Sequence, residues 1–323
     1  MFRSLRAAGS PSFPRGSSVL KCMIPIALLV GAQAASTAKP TPIVTILQGR
    51  ATVIRALSQF EAAEGMLLLA DDLVRTNKDT FLRIEYPDQT SIELGPDTQL
   101  QVNHPSRRRG TRPALYLLEG WLKVGSGKAD SGVKAAFATV GVDVVDLTGI
   151  MVMRATSASR ELFAEQGTAR CIDKNQHAAE PITLRQGGFV TVAPDRPPRL
   201  EVRPPAEFTA ALPRAYRDTL PFRYRMFQDH PVAPKGQVQF SYADVEPWLN
   251  GEPSVRRQFV ALWRRKANDA AFRASLDRDL QKHPEWDPVL HPEKYEPAEP
   301  PHPGPGVENP TTASQPTPAP QHN

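Results

Sequence analysis

Alternation of apolar and polar residues with a period of two runs through residues 82 to 94 of this sequence. Its apolar residues are Leu82, Ile84, Tyr86, Ile92 and Leu94, and the polar residues between them are Arg83, Glu85 and Glu93. Successive side chains of a β-strand point to opposite faces, so the pattern predicts two half-buried strands joined by a turn at Asp88 and Gln89. We expect the polar face to be hydrated. We also expect a turn without positive φ at Gln89, because glycine is absent there.

Similar short apolar runs, separated by Gly, Asn and Asp, continue from Ile43 to about residue 200. Regular spacing of such runs is typical of all-β architectures. The sequence therefore predicts a mainly β fold. The arrangements compatible with it are an antiparallel sandwich or roll and a short β-solenoid.

A short motif is repeated three times in this region. Each copy has a polar residue, a glycine, and apolar residues two and four positions after the glycine. The copies are residues 48–53, 119–124 and 166–171. Glycine suits a bend or bulge at the entry to a strand. Cys171 occupies the place of Val53 and Val124, so we predict a buried apolar residue and not a reactive thiol.

The order of these segments resembles the FecR domain family. The resemblance covers residues 44 to 193 and rests on the glycine-led strand at 48–53, the hairpin at 82–94 and the strand at 118–124. It also includes a loosely spaced segment with Gly65, Leu69, Asp72, Val74 and Thr76. The resemblance implies a non-catalytic β domain of the bacterial envelope. Its best-known members relay a signal from outer-membrane receptors to a sigma factor.

The N-terminus has the pattern of a secretory signal peptide. Arg3, Arg6, Arg15 and Lys21 precede an apolar run at residues 23–30, and small residues end the segment at Ala34. We expect cleavage between Ala34 and Ala35, a linker at 35–43, and a periplasmic or secreted protein. The alternative is an uncleaved segment that anchors a sigma-factor regulator in the membrane. The run is short for a membrane span, which takes about 20 residues.

Removal of residues 1–34 changes the charge of the chain. The full sequence has 39 basic and 34 acidic residues, and the removed segment has four basic residues and no acidic one. The mature chain is therefore almost neutral, at +1, which gives no compositional support for nucleic-acid binding. Cys22 is also removed, so Cys171 has no disulfide partner within the mature chain.

Three further regions follow the FecR-like domain, to which we assign residues 44–200. Residues 201–238, here called the strap, are rich in proline and aromatic residues and are predicted to pack on the β domain. Residues 239–295 are predicted to form a helical appendage, with helices beginning at Ser254 and at Asn268 or Asp269. Residues 296–323 are rich in proline and are predicted to be disordered.

No catalytic or cofactor-binding motif is recognisable, so we expect the protein not to be an enzyme and to have no cofactor. His283, Glu285, Asp287 and His291 are potential metal ligands close in sequence. Prolines interrupt them and their spacing matches no known site, so we predict no metal. The segment instead places Trp286 and Leu290 for packing on the core.

Binding to another envelope protein is the predicted function. The candidate contacts are an arginine cluster in a turn-rich segment, suited to an acidic partner, and one outward aromatic residue. They are Arg107, Arg108, Arg109, Arg112 and Trp121. Binding of a glycan such as peptidoglycan on a sheet face is the alternative, but the outward strand positions are mostly charged or polar and not aromatic.

Export has a direct test. We expect the mature protein to begin at Ala35 and to fractionate as a soluble envelope protein, because the apolar run is too short to remain as an anchor. N-terminal sequencing of the fractionated protein measures this. An intact Met1 terminus in the membrane fraction would contradict it.

Overall fold

Strands dominate the computed structural model, which describes residues 41–102, 114–127, 135–175, 178 and 180–295. The predicted mainly β fold is confirmed. The first seven strands are β1 Ile43–Gln48, β2 Ala51–Arg55, β3 Ser58–Glu61, β4 Leu73–Thr76, β5 Phe81–Glu85, β6 Ser91–Leu94 and β7 Gln99–Val102. The others are β8 Ala114–Gly125, β9 Ala135–Thr139, β10 Val142–Ala155, β11 Arg160–Asp173, β12 Ile182–Arg185, β13 Phe189–Ala193, β14 Arg196–Glu201 and β15 Lys235–Val238.

The strands form one continuous sheet, ordered β14-β13-β11-β10-β9-β8-β7-β4-β2-β3-β15, with β1, β5, β6 and β12 attached beside this path. Among the described residues, every strand pairing is antiparallel except that of β8 with β9. The predominance of antiparallel pairs favours a sheet that folds back on itself over a solenoid.

Long strands change pairing partners at a glycine. In β8, residues up to Glu119 pair with β7, and residues from Leu122 onward pair with β6. Gly120 lies between them with a φ of 97°, a conformation that glycine adopts without strain. The other glycines with positive φ at such changes are Gly49 between β1 and β2, Gly149 in β10 and Gly167 in β11.

These bends divide the sheet into two halves. The helix-side half contains β2, β3, β4, β7, β9, β12 and β15 with part of β8, β10 and β11. The strap-side half contains β1, β5, β6, β13 and β14 with the remaining parts of the same long strands. Buried apolar residues of both halves, among them Val53, Leu117, Ile84 and Leu162, share one core. The sheet is therefore folded into a sandwich-like roll.

A threonine hydroxyl holds the bend at each of the three repeat glycines. The hydroxyl accepts a hydrogen bond from the backbone N–H of the residue after the glycine, and donates one to the C=O of that residue. At Gly120, Thr98 Oγ1 lies 2.9 Å from Trp121 N and 3.2 Å from Trp121 O. A Cβ at Gly120 would lie 2.4 Å from Thr98 Cα, so no larger residue fits. The three pairs are Gly49 with Thr80, Gly120 with Thr98, and Gly167 with Thr148.

Cys171 confirms the register predicted from the repeat. It is 1% exposed and lies in the same core as Val53 and Val124. Burial raises the pKa of the thiol to about 12, so the reactive thiolate is scarce at neutral pH.

Asp72 is a buried acid with a structural role. It belongs to the segment that resembles the second FecR element, and its carboxylate accepts hydrogen bonds from Arg55 Nε at 2.9 Å and Arg55 Nη2 at 2.6 Å. It also accepts one from the backbone N–H of Leu69 at 2.7 Å. These bonds tie the turn before β4 to the neighbouring strand β2.

The described residues after β14 contain six α-helices, with β15 between the second and the third: α1 Ala206–Ala211, α2 Tyr224–Phe227, α3 Tyr242–Leu249, α4 Pro253–Trp263, α5 Ala270–Arg278 and α6 Asp287–Leu290. Single turns of 3₁₀-helix occur at Arg214–Arg217, Arg264–Asn268, Leu280–Lys282, Pro284–Trp286 and Pro292–Lys294. Trp248, Phe259 and Trp263 bury their rings against Ile54 and Tyr116 of the helix-side half. The predicted packing of Trp286 and Leu290 in this second core is confirmed.

Two local predictions for helices and one for the turn can be compared with the structure. Asp269 is an N-cap, as predicted, since its side chain accepts hydrogen bonds from Ala271 N and Phe272 N. Ser254 is not: α4 begins at Pro253 with Glu252 at the N-cap position. The expected turn at Gln89 is also wrong, because Gln89 has a φ of 70°. The Asp88 carboxylate, which accepts a hydrogen bond from Thr90 N at 3.0 Å, supports this turn without glycine.

The threonine contact is testable at Thr98. Thr98→Val should lower the free energy of unfolding by about 1–3 kcal/mol, because the backbone N–H of Trp121 loses its acceptor. Thr98→Ser keeps the hydroxyl and should cost clearly less. Urea unfolding measures both, and equal destabilisation by the two substitutions would contradict the assigned role.

Candidate functional site

The polar face of the β5–β6 hairpin is buried, which overturns the expectation that it is hydrated. Arg83 is 7% exposed, Glu85 is fully buried and Glu93 is 4% exposed. Arg83 Nε lies 2.8 Å from Glu85 Oε1, and Arg83 Nη1 lies 2.8 Å from Glu93 Oε1. One guanidinium therefore neutralises carboxylates on two paired strands.

Lys123 of β8 extends this buried network towards β11. Its ammonium lies 2.9 Å from Glu165 Oε2 and donates a hydrogen bond to the backbone carbonyl of Tyr216 at 2.6 Å. Glu165 is about one-third exposed, at 35% of its side chain, so the network reaches solvent at this end. We call the outer surface around Arg83, Glu85, Glu93 and Lys123 the covered face.

The strap is what covers this face. The backbone N–H of Arg223 donates to Glu85 Oε2 at 2.7 Å. The Tyr216 hydroxyl lies 2.9 Å from both Glu93 O and Trp121 O, the carbonyls of neighbouring strands. The predicted packing of the strap on the β domain is therefore confirmed, and it explains why the charged residues are buried.

Aromatic rings fix the first part of the strap. Phe208 of α1 packs on Phe189 at a centroid distance of 4.9 Å, on Trp121 at 5.4 Å and on Phe163 at 6.3 Å. The guanidinium of Arg154 lies 5.3 Å from the centroid of the Trp121 ring. Trp121 is thus half-buried between strap and sheet and forms no open aromatic platform.

Burial changes the acidity of the network. Desolvation raises the pKa of Glu93, and the positive charges of Arg83 and Lys123 partly oppose this effect. Its second oxygen, Oε2, has no hydrogen-bond partner among the described residues. Desolvation also raises the pKa of Tyr216 well above its usual value. Both groups lie between the strap and the sheet.

Most of the predicted site residues lie outside the described residues. These are Ala34, Ala35, Arg107, Arg108, Arg109 and Arg112. The predicted arginine cluster belongs to the connection between Val102, the last residue of β7, and the first residue of β8. Trp121 is the described member of the predicted contact set, and the structure places it against the strap.

The four potential metal ligands near the C-terminus do not converge. His283 is fully buried, and its Nε2 contacts the Leu276 carbonyl at 3.2 Å. His291 instead faces Asp277, with 2.9 Å between Nε2 and Oδ1. Among the described residues no group of three or more His, Cys, Asp or Glu side chains is arranged to hold a metal.

A cleft of about 490 Å³ lies between α3 and α5. Lys266 borders it, but its ammonium is bonded to Gln239 Oε1 at 3.0 Å and Asp269 Oδ2 at 2.9 Å. It also lies 5.5 Å from the centroid of Phe240. These contacts connect the segment before α3 with the N-terminus of α5. The ammonium of Lys266 is therefore already hydrogen-bonded within the chain.

No helix among the described residues is long and apolar enough to cross a bilayer.

Comparison with known proteins gives limited similarity. No family model and no curated protein matches the chain. Two crystal structures of a "putative anti-sigma factor" from Parabacteroides distasonis ATCC 8503, at 2.50 Å and 1.65 Å resolution, are similar to it. Both have 15% sequence identity and a TM-score of 0.36, and the match covers 43% of this chain. It covers 62% and 63% of those chains, which is less than two thirds of their length. Similarity at this level assigns neither a family nor a function.

The sequence contained one signal for the covered face. Glu85 and Glu93 alternate with apolar residues as they would on a hydrated strand, so the hairpin alone gave no indication of burial. The strap carries five aromatic residues: Phe208, Tyr216, Phe222, Tyr224 and Phe227. This number is high for a linker, and it predicted a cover without identifying which face it covers.

Arg83 is the residue on which the network depends. Arg83→Met should lower the free energy of unfolding by about 3–5 kcal/mol, because two buried carboxylates lose their counter-charge. Arg170→Met is the control, since Arg170 pairs with Asp146 at 3.3 Å with 45% and 34% of the side chains exposed. The control should change stability by less than about 1 kcal/mol in urea unfolding. Equal effects of the two substitutions would contradict a buried network.

Proposed function

We propose that the protein is a non-catalytic interaction module of the bacterial envelope that relays a signal by binding another protein. The strap-covered network is the observation that carries this proposal. Its acids and bases are engaged with one another and with the strap, as in the contacts of Arg83 with Glu85 and Glu93. Groups held in this way stabilise a scaffold and are not positioned for proton transfer to a substrate.

The rigidity of the roll supports a scaffold role. Glycine bends and threonine hydroxyls fix the long strands, and the helices share a core with the helix-side half. A reciprocal amide pair between Gln101 of β7 and Gln258 of α4, at 3.2 and 3.1 Å, adds a polar contact between these layers. Binding sites are commonly carried by loops on such a scaffold.

The resemblance to the FecR domain supports the proposed envelope location and relay role. The segments that carry the resemblance, including the glycine-led strands and the buried Asp72, have defined structural positions. Export through residues 1–34 is part of the same proposal. Trp121, the main aromatic exception among the outward strand positions, packs against Phe208, which disfavours the alternative of glycan binding.

The arginine cluster is the proposed contact with an acidic partner. Replacing Arg107, Arg108 and Arg109 with Ser should weaken capture of the partner after crosslinking in the envelope, and should flatten its dependence on salt. Thermal stability should stay within a few °C, as for most substitutions away from a core or a buried network.

The control variant removes two exposed arginines beside α4. Arg264→Ser with Arg265→Ser changes two exposed side chains beside α4 and should leave capture intact. Unchanged capture by the triple variant at low salt would rule out the cluster as the contact.

A further inference from the structure

The backbone of the strap forms hydrogen bonds with charged side chains of the covered face. Lys123 donates to the carbonyl of Tyr216 at 2.6 Å, and Glu85 accepts from the N–H of Arg223 at 2.7 Å. Every residue type has a carbonyl, and every type except proline has an N–H. These two contacts therefore place few limits on the sequence of the chain that makes them.

Side-chain recognition is concentrated at two anchors. Phe208 is 2% exposed among the rings of Trp121, Phe163 and Phe189. Tyr216 is 3% exposed, and its hydroxyl bridges two strand carbonyls. Between and after these anchors the strap is mostly exposed, as at Met226, which is 64% exposed. This is the pattern of a peptide bound by two aromatic residues in pockets.

The strap has little structure of its own. Its helices are α1 with six residues, α2 with four and the 3₁₀ turn Arg214–Arg217 with four, and its last four residues form the edge strand β15. Helices this short are not stable in isolation, so the strap takes its conformation from the face that it covers. Ordering of this kind accompanies the binding of peptide segments that are disordered when free.

Release of the strap would bring the covered face into contact with water. It carries Arg83, Glu85, Glu93 and Lys123, which water would solvate if the strap left. Removal of the strap would expose these charged groups together with an apolar patch of the sheet. Phe208 and Tyr216 of the strap share a buried cluster with the sheet residues Ile46, Phe81, Val152 and Phe189. The main core between the two halves of the roll would stay closed.

We propose that the covered face is a peptide-binding surface, and that the strap occupies it as an intramolecular ligand which a segment of a partner protein replaces. The strap has six basic and four acidic residues, with six prolines and five aromatic residues. The face has the opposite balance, with Arg83 and Lys123 against Glu85, Glu93 and Glu165. The partner segment is therefore interrupted by proline, rich in arginine and equipped with two aromatic anchors. This inference rests on the proposed function and names the class of partner segment at this face, which is separate from the acidic contact proposed for the arginine cluster.

Exchange is tested with a peptide added in trans. The probe is a fluorescent synthetic peptide of residues 203 to 226, titrated into the full-length protein and into its Phe208→Ala, Tyr216→Ala double variant. The attached strap competes at high effective concentration in the unchanged protein. The double variant loses both anchors of its own strap, so it should bind the peptide at least about tenfold more tightly.

Two controls define the result. A peptide with Ala at both anchor positions should not bind, and Met226→Ala, which changes an exposed strap residue, should bind the peptide as weakly as the unchanged protein. Protection of Cys171 from a bulky thiol reagent reports that the core of the double variant is folded, since Cys171 lies between the two halves of the roll. A folded double variant without tighter binding would overturn the inference.

Hydrogen exchange of the unchanged protein provides a second measurement if the double variant fails to fold. The amide of Arg223 should exchange by local opening, at least about tenfold faster than the β8 amides under the same conditions. If the Arg223 amide and the β8 amides exchanged at the same rate, both would exchange by global unfolding. That result would show that the strap does not open by itself and would overturn the inference. Capture of an envelope partner through the arginine cluster, together with a strap that never opens, would overturn this inference and leave the proposed function standing.

Discussion

A backbone bend that only glycine tolerates is the constraint on which the rest of the structure depends. Gly49, Gly120 and Gly167 have φ values of 89°, 97° and 72°, and each bend lets a continuous chain pair in both halves of the roll. A side chain at any of these glycines would collide with the threonine that lies opposite it. Closure of the roll, the common core and the two outer surfaces all follow from this geometry.

The two outer surfaces of the roll are covered by different physical means. The helical layer buries aromatic rings such as Trp248 and Trp263, and its contact is chiefly apolar. The strap covers charged residues and a smaller apolar cluster, and its contact combines backbone hydrogen bonds with the two anchors Phe208 and Tyr216. Burial of ion pairs returns less free energy than burial of apolar area, because their desolvation offsets much of the attraction.

The candidate site could be predicted only in part. The strap was predicted to pack on the β domain from its aromatic residues, and it does. Its target was not predictable, since Tyr216 and Glu93 are more than 120 residues apart and Glu93 alternates as a hydrated residue would. Trp121 was identified as unusual, but its contact is within the chain. At Gln89, the absence of glycine suggested negative φ, whereas Asp88 supports the left-handed conformation through its side chain.

The sequence by itself determined the strands, their inward residues and the bends. Alternation and the glycine repeat act over a few residues, so they identified the buried side chains at Val53, Val124 and Cys171 correctly. Only the tertiary structure decided whether the outward side chains are buried or exposed to water. Whether Arg83 and Glu85 meet water depends on what packs over them, and that is settled by a distant segment of the chain. Local periodicity reports two faces of a strand, but it contains no information on whether the second face is covered.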